Sequence, residues 1–456
     1  MQAKQYEQQQ ADYQEALHTA LEEGARQAVT GLLRGLHPAQ IADALESLPR
    51  ELRPDLWREV PATAKGEVLL EAHGEVRQQL INASDERELL AALATLEMDE
   101  LADLDADLPV SVVDAMVQAM DAQRRDRYEA VRSYPDDTAG GLMDVDVAAV
   151  RTDVTLKAVQ RYLRQRRRKE GVLPEHLDSL IVVDRDNTYL GLLKLSDVVS
   201  LESKTTVGEA MTAGVSAIPV LTTASKVARL FEDQDLISAA VVNEAGRLVG
   251  RITIDDVVDV MREQAEHEVM SRAGLTEATD MFAPIVSSAG RRALWLGVNL
   301  INAFIAAWVI GLFTESIDKI VALAVMMPVI ASMGGVAGIQ TLTLVTRGIA
   351  LEQVGRSNAR RLLLRELTLG LLNGVFWALV VAAVAVFWFD DMRLGVVFGV
   401  ALVLNLLTGA LAGTLVPLIL QRMGIDPALA GGVVLTAATD VVGFLSFLGL
   451  ATLFLL

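Results

Sequence analysis

One carboxylate, Asp440, stands about ten residues inside the last of several long apolar runs. At 1.5 Å per residue that is roughly 15 Å along a helix, close to the middle of a bilayer. An ionised carboxyl at that depth costs at least about 2.5–3.5 kcal/mol unless it faces water, a cation or a partner. No opposite charge stands at mid-run elsewhere in the apolar part to neutralise it. Two readings are open: a neutral Asp that hydrogen-bonds helices together, or a carboxylate on a wet path. In the second it is a hard oxygen ligand, suited to Mg²⁺, Ca²⁺ or Mn²⁺ rather than to soft metals. Thr436 and Thr439 precede it as polar residues that could line the same path.

Other chemistries are scarce. Cysteine is absent, which removes disulfides and thiolate metal sites, and the five histidines are dispersed without ligand spacing. No Gly-x-x-x-x-Gly-Lys-[Ser/Thr] run is present, which argues against an ATP-driven pump. The abundant group is the carboxylate. From Arg291 onward ten Lys/Arg meet eight Asp/Glu, about +2, so the preceding residues carry −21 of the net −19. That face would repel nucleic acid and anionic lipid and attract Mg²⁺, Ca²⁺ or basic proteins. The alternative is a plain solubilising surface.

The elements that must position Asp440 are five apolar runs, roughly 293–313, 320–345, 367–389, 394–420 and 431–456, each long enough to span a bilayer. The connection 347–365 holds five arginines, whereas Glu315–Lys319 and Asp390–Arg393 hold one basic residue each. Basic loops stay inside. The expectation is a multi-pass protein of a bacterial-type plasma (inner) membrane, with the N-terminal two-thirds cytosolic and the C-terminus outside. The first ten residues have no apolar core and read as no signal peptide. In the second run Pro328, Gly334, Gly335 and Gly338 stand at mid-span, followed by Gln340. Such residues allow either non-helical backbone lining a cavity or close helix packing.

Ahead of the spans, Ser179–Val199 and Ser238–Val258 repeat each other: strand, turn, strand, then a helix opening at an Asp. Gly141-Leu-Met143…Val150…Thr155 recurs as Glu209-Ala-Met211…Ile218…Thr223. The offset falls from 68 to 59, so the first copy holds about nine extra residues, placed around the basic run Arg161–Lys169 and Glu170–Pro174. The two copies resemble a cystathionine-β-synthase (CBS) pair, a regulatory ligand-binding module. Asp197 and Asp256 then keep open an ATP or other adenine-nucleotide site, although the same position also serves as a helix N-cap. Residues 1–135 carry helical periodicity alone; Leu36–Pro49 and Glu97–Pro109 read as related helix units, each stopped by proline, in a superhelical stack. Between Met261 and Arg291 the pattern stays helical and acidic, a connector to the first span.

In this order the pieces resemble the MgtE family of magnesium channels over nearly the whole chain. The matching residues are the Leu-x-Pro-x-x-Ile-Ala unit, Tyr134-Pro-Asp-Asp-Thr-Ala-Gly-Gly-Leu-Met143, the Pro-x-x-Ala-x-x-Gly-Gly-x-x-Gly-x-Gln run of the second span, and Asp426-Pro-Ala-Leu with Thr439-Asp440-Val-Val-Gly443. The resemblance implies a multi-domain membrane protein: an all-α bundle of five spans per subunit (291–456), an α-superhelical N-domain (1–135), an α/β CBS pair (136–202 and 203–262) and a plug helix (263–290). It implies a homodimer with the pore between subunits, and hydrated Mg²⁺ at Asp440. It also implies regulatory Mg²⁺ on Asp256, Asp259, Glu263, Glu268, Asp426, Asp99 and Asp103, closing the pore when Mg²⁺ is ample. Such a protein is a transporter and no enzyme. Three departures stand out: Val336 replaces the family's Asn after Gly-Gly, Gly431-Gly-Val433 lacks a Pro, and Gln264-Ala-Glu266-His-Glu268 replaces Glu-Ala-Thr-Glu-Asp. The first two bear on ion selectivity and the third on Mg²⁺ sensing. The alternatives are a broader Mn²⁺/Co²⁺ importer and a CBS-regulated carrier of another solute.

Overall fold

A computed structural model describes residues 13, 15–170, 177–271, 274–275, 280–351, 353–355 and 358–456. The apolar cores separate two units, Met1–Glu266 with Glu277–Ala283, and His267–Thr276 with Pro284–Leu456.

In the N-terminal unit, helices of 7 to 11 residues follow one another from Arg26–Leu33 to Ala122–Arg132. Each is too short to be stable alone, and each buries an apolar stripe on its neighbours. The packing partner is repeatedly the helix two places along: Arg26–Leu33 on Arg53–Glu59, Pro38–Ser47 on Lys65–Glu71, Glu86–Leu93 on Val110–Ala119. That order winds the chain into the expected superhelical stack. Caps set the boundaries. Asp85 and Asp121 accept from the backbone N–H groups of Glu88 and Arg124, each at 2.8 Å.

The CBS pair comes next with two sheets. The first has the order β1 (Ala149–Arg151), β2 (Ser179–Val183), β3 (Tyr189–Lys194), β4 (Thr212–Ala213); the second has β5 (Ile218–Pro219), β6 (Ser238–Val242), β7 (Leu248–Thr253). The repeat holds at the level of register: Ser179 pairs with Lys194 and Ser238 with Thr253, and both hairpins slip at the same place, Val182/Val183 and Val241/Val242. The two serines meet, Oγ to Oγ, at 3.3 Å. Leading segments are exchanged: Ala139 and Met143 pack with Ile218 and Phe231 of the second core, while Val207 joins Leu156 and Val182 in the first. Gly140 and Gly141 make the exchange possible, since a Cβ would lie 2.5 Å from the Tyr134 ring or 2.7 Å from the Asp136 backbone.

Two expectations about these segments change. Arg161–Lys169 is helical, within Leu156–Glu170, which corresponds to the shorter Ala224–Gln234 of the second copy. Part of the extra length therefore extends a helix; residues 171–174 lie outside the described residues. The connector is also no single helix. Ile254–Ser271 ends before Gly274 (φ +69°), and the next helix starts after Pro284. Residues with positive φ and proline both stop helices; 272–273 and 276–279 lie outside the described residues.

In the second unit five helices are long and apolar enough to cross a membrane: Ile285–Gly311, Ala322–Ala350, Ala359–Phe389, Met392–Arg422 and Pro427–Leu455. The fourth is the most buried and carries the second, third and fifth on its flanks. Small residues bring it close to the second: a Cβ on Gly409 would lie 2.9 Å from the Gly334 carbonyl, and one on Gly413 would lie 2.7 Å from that of Gly338. This is the small-x-x-x-small contact expected where lipid supplies no hydrophobic drive.

Candidate cation sites

Asp440 is the fourteenth of the 29 residues of Pro427–Leu455, close to mid-helix, and its side chain is partly exposed. Among the described residues no hydrogen bond or ion pair reaches its carboxylate. Thr439 is buried and donates to the Leu435 carbonyl at 3.1 Å, and Thr436 donates to that of Gly432 at 2.9 Å. Both hydroxyls thus serve their own helix, leaving lone pairs only. The second span remains helical through Pro328, and its glycines divide by face. Gly334 and Gly338 are packing positions: a Cβ would fall 2.2 Å from the Asn405 amide nitrogen and 2.8 Å from Leu435. Gly335 has open space beside it, and Pro328 and Gln340 are exposed. Asn405, which no signal in the sequence marked, is fully buried and donates to the Ile330 carbonyl at 2.7 Å, joining the fourth span to the second, and it lies against Gly443 of the span that carries Asp440.

Asp426 caps the last span, accepting from the Ala428 N–H at 2.8 Å, and its other oxygen lies 3.2 Å from His267 Nε2. Glu268, next to His267 in the chain, is partly buried.

The N-terminal unit gathers carboxylates from two elements. Glu97, Asp99 and Asp144 bring one oxygen each to within 4.8 Å of the others. Opposed oxygen ligands of a calcium-sized cation are about 4.6–5.2 Å apart, and those of Mg²⁺ about 4.0–4.2 Å. Glu97 and Asp99 stand at the start of helix Met98–Asp105, where a capping box and the helix dipole favour negative charge. Asp144 is pinned to Arg251 of β7 by reciprocal backbone bonds of 2.8 Å. Asp99 is buried, and its Oδ1 has no hydrogen-bond partner. Burial, Asp256 and Asp144 hold Asp99 far above the usual carboxylate range. Glu97, exposed on one flank, is pushed up to about 7 by burial of its carboxyl and by Asp144 and Glu100. Asp256 reaches about 7 through burial and Asp255, against the bonds it accepts from Thr253. Asp103 reaches about 6 through burial and Asp136. A buried oxygen with nothing to bind, set among like charges, is a donor set fitted to a divalent cation.

Farther along helix Ile254–Ser271, Asp259 and Glu263 are raised chiefly by burial, and Glu71 is raised by burial and Asp259. Arg262 lies 3.7 Å from Asp259 and 3.9 Å from Glu71, partly neutralising them. Asp256, Asp259 and Glu263 therefore form one stripe with two acidic pockets. Asp197 sits apart in the first turn of Leu195–Ser200, partly exposed. Asp256 reaches back to the Thr253 N–H at 3.1 Å, the capping role its position in the repeat allows. Glu97 and Asp144 were missed because they are 47 residues apart in the chain and no spacing links them; Glu97-x-x-Glu100 was readable as a capping box.

Family models match in the same order: the MgtE intracellular N domain at 36–137, CBS domains at 139–204 and 207–263, and MgtE, described as a divalent cation transporter, at 327–450. The magnesium transporter MgtE of Thermus thermophilus is 30% identical over 96% of this chain and 98% of its own. The chain belongs to the MgtE family. The Bacillus subtilis magnesium transporter MgtE is 26% identical over 95% of this chain and 96% of its own. A crystal structure of the cytosolic domain of the Mg²⁺ channel MgtE in complex with ATP is 31% identical, covering 54% of this chain and 99% of that one, with a TM-score of 0.49. MgtE proteins are thus magnesium transporters rather than enzymes, and this member joins a helical N-domain and a CBS pair to a multi-pass membrane bundle.

Proposed function

We propose that this MgtE protein is a Mg²⁺-selective, Mg²⁺-gated channel that imports magnesium into the cytosol as a homodimer. The observation that carries the reading is Asp440, a mid-span carboxylate with open surface and no partner among the described residues. Two copies facing each other across a symmetry axis would present two such carboxylates. Mg²⁺ sheds its waters reluctantly, so the pair would hold the hydrated ion through water.

Gating rests on the acidic stripe. Without a divalent cation, Asp256, Asp259 and Glu263 face Asp99, Asp103 and Glu71 as like charges. A bound cation at Glu97, Asp99, Asp144 and Asp256 would turn that repulsion into attraction and draw helix Ile254–Ser271 onto the N-domain. Within the membrane unit, Asp426 and Glu268 would answer a separate Mg²⁺, with His267 3.2 Å from one Asp426 oxygen. Because Asp256 is committed to the acidic pocket and its cap, a nucleotide site would rest on Asp197.

The broader divalent reading is favoured by Val336 and Val433, apolar where the family resemblance expects other residues. Uptake of Mg²⁺ and Mn²⁺ into proteoliposomes decides between them: at least about tenfold preference for Mg²⁺ is expected, and equal fluxes would establish the broader importer. Protection of the N-terminal unit from protease by millimolar Mg²⁺, absent in EDTA, is the expected signature of gating.

A further inference from the structure

We propose that the cleft between the third and fourth spans holds one anionic phospholipid, its acyl chain along a leucine groove and its headgroup on Arg360, Arg361 and Arg422. The groove has a volume of about 490 Å³ and is lined by Leu364, Leu367, Leu371, Leu404, Leu407 and Leu411, with Thr368 and Thr408. Leu364, Leu371, Leu404 and Leu411 keep 41–55% of their surface exposed. Gly370 against Ala410 and Gly374 against Val403 close the seam behind it.

Helical phase places the arginines. At 100° per residue Arg360 lies on the face of Leu364, Leu367 and Leu371, and Arg361 stands one turn before Leu364. On the fourth span, Arg422 is eleven residues beyond Leu411, back in phase with it. The spans run antiparallel, so all three arginines crown the same end of the groove. Each is exposed, and among the described residues none has an ion-pair partner. The acid of that stretch, Glu366, turns inward and is buried, while Arg365 is 3.5 Å from it. Among the described residues the groove mouth thus presents positive charge.

Position in the bilayer selects the occupant. Alternate crossings bring the start of the third span and the end of the fourth to the side from which the first span departs. The positive-inside rule makes this the cytosolic leaflet, which is anionic. Basic pockets between spans on that side suit anionic headgroups. This part of the chain carries about +2 against −21 for the rest, so an anionic lipid is drawn to it rather than to the acidic part.

The test uses the full chain in nanodiscs of phosphatidylglycerol and phosphatidylcholine at one to four, with the lipid retained through detergent purification measured by mass spectrometry. Each arginine is expected to contribute about fivefold to retention. Wild type should retain the two lipids in a phosphatidylglycerol-to-phosphatidylcholine ratio at least about fivefold above that of the nanodisc, and the triple variant Arg360→Gln, Arg361→Gln, Arg422→Gln should retain them in the nanodisc ratio. The triple Lys variant should restore most of the enrichment. Leu407→Trp, which fills the groove with the charges intact, should also abolish it. Unchanged enrichment in the Gln variant, or in Leu407→Trp, overturns the proposal. So does efficient crosslinking between two chains carrying Leu371→Cys, which would show that a second copy covers the groove.

Discussion

Asp99 is a carboxylate folded into a place where water cannot satisfy it, its Oδ1 buried and unpartnered beside Asp144 and Glu97. Asp99→Asn keeps the shape and removes a carboxyl that can ionise there only at a cost. It should raise the cation-free stability of the N-terminal unit and remove most of the stabilisation by Mg²⁺, which for one site grows as RT ln(1 + [Mg²⁺]/Kd). Thermal unfolding of the full chain with and without Mg²⁺ measures both, and an unchanged Mg²⁺ response would remove Asp99 from the site. The same groups set the pH dependence. Glu97, Asp256 and Asp103 bind protons more tightly folded than unfolded, at about 7, 7 and 6 against 4.5, 3.8 and 3.8. Their contribution is therefore fully present below about 4 and is lost as pH rises through 6–7. His73, raised by its bond to Glu46, has the same sign. In EDTA the melting temperature should fall between pH 5.5 and 7.5, and saturating Mg²⁺ should flatten the fall. A melting temperature that rises with pH in EDTA would contradict the cluster.

At the scale of elements, much of the architecture was legible. The 59-residue repeat returned as two hairpins with the same register and the same bulge, because period-2 patterning and turn residues act locally. The five spans were readable because a bilayer sets their length. Sequence could not show which elements exchange partners. Met143 packs against Gly250 of the other copy, and nothing near position 143 announces that. The connector misled for a related reason: its acidic periodicity continues past Ser271, but Gly274 and Pro284 break the backbone. Asp280, between those two breaks, is held by a long-range pair with Arg53 at 2.6 and 2.8 Å, both side chains buried. Arg53 also donates to the Leu45 and Leu48 carbonyls. Arg53→Met should cost about 3–5 kcal/mol, the usual loss when one partner of a buried pair is removed. Chemical denaturation of the N-terminal unit reads this directly, and a loss below about 1 kcal/mol would mean the pair is solvated. In the membrane unit, Gly338→Val would push against Leu435 and should reduce folded yield by severalfold, whereas Gly335→Val, with open space, should not.

In the whole molecule, one helix, Ile254–Ser271, belongs to both units, carrying Asp256 near its start in the first and His267 and Glu268 near its end in the second. In the proposed channel the charge division between the two parts suits an N-terminal unit that answers to divalent cations. In the proposed channel the ion path runs past Asp440. Mg²⁺ flux into proteoliposomes should fall at least about tenfold in Asp440→Ala, with the variant still eluting as a folded oligomer and still protected from protease by Mg²⁺. Undiminished Mg²⁺ flux in that variant would show that the ion path does not pass through Asp440.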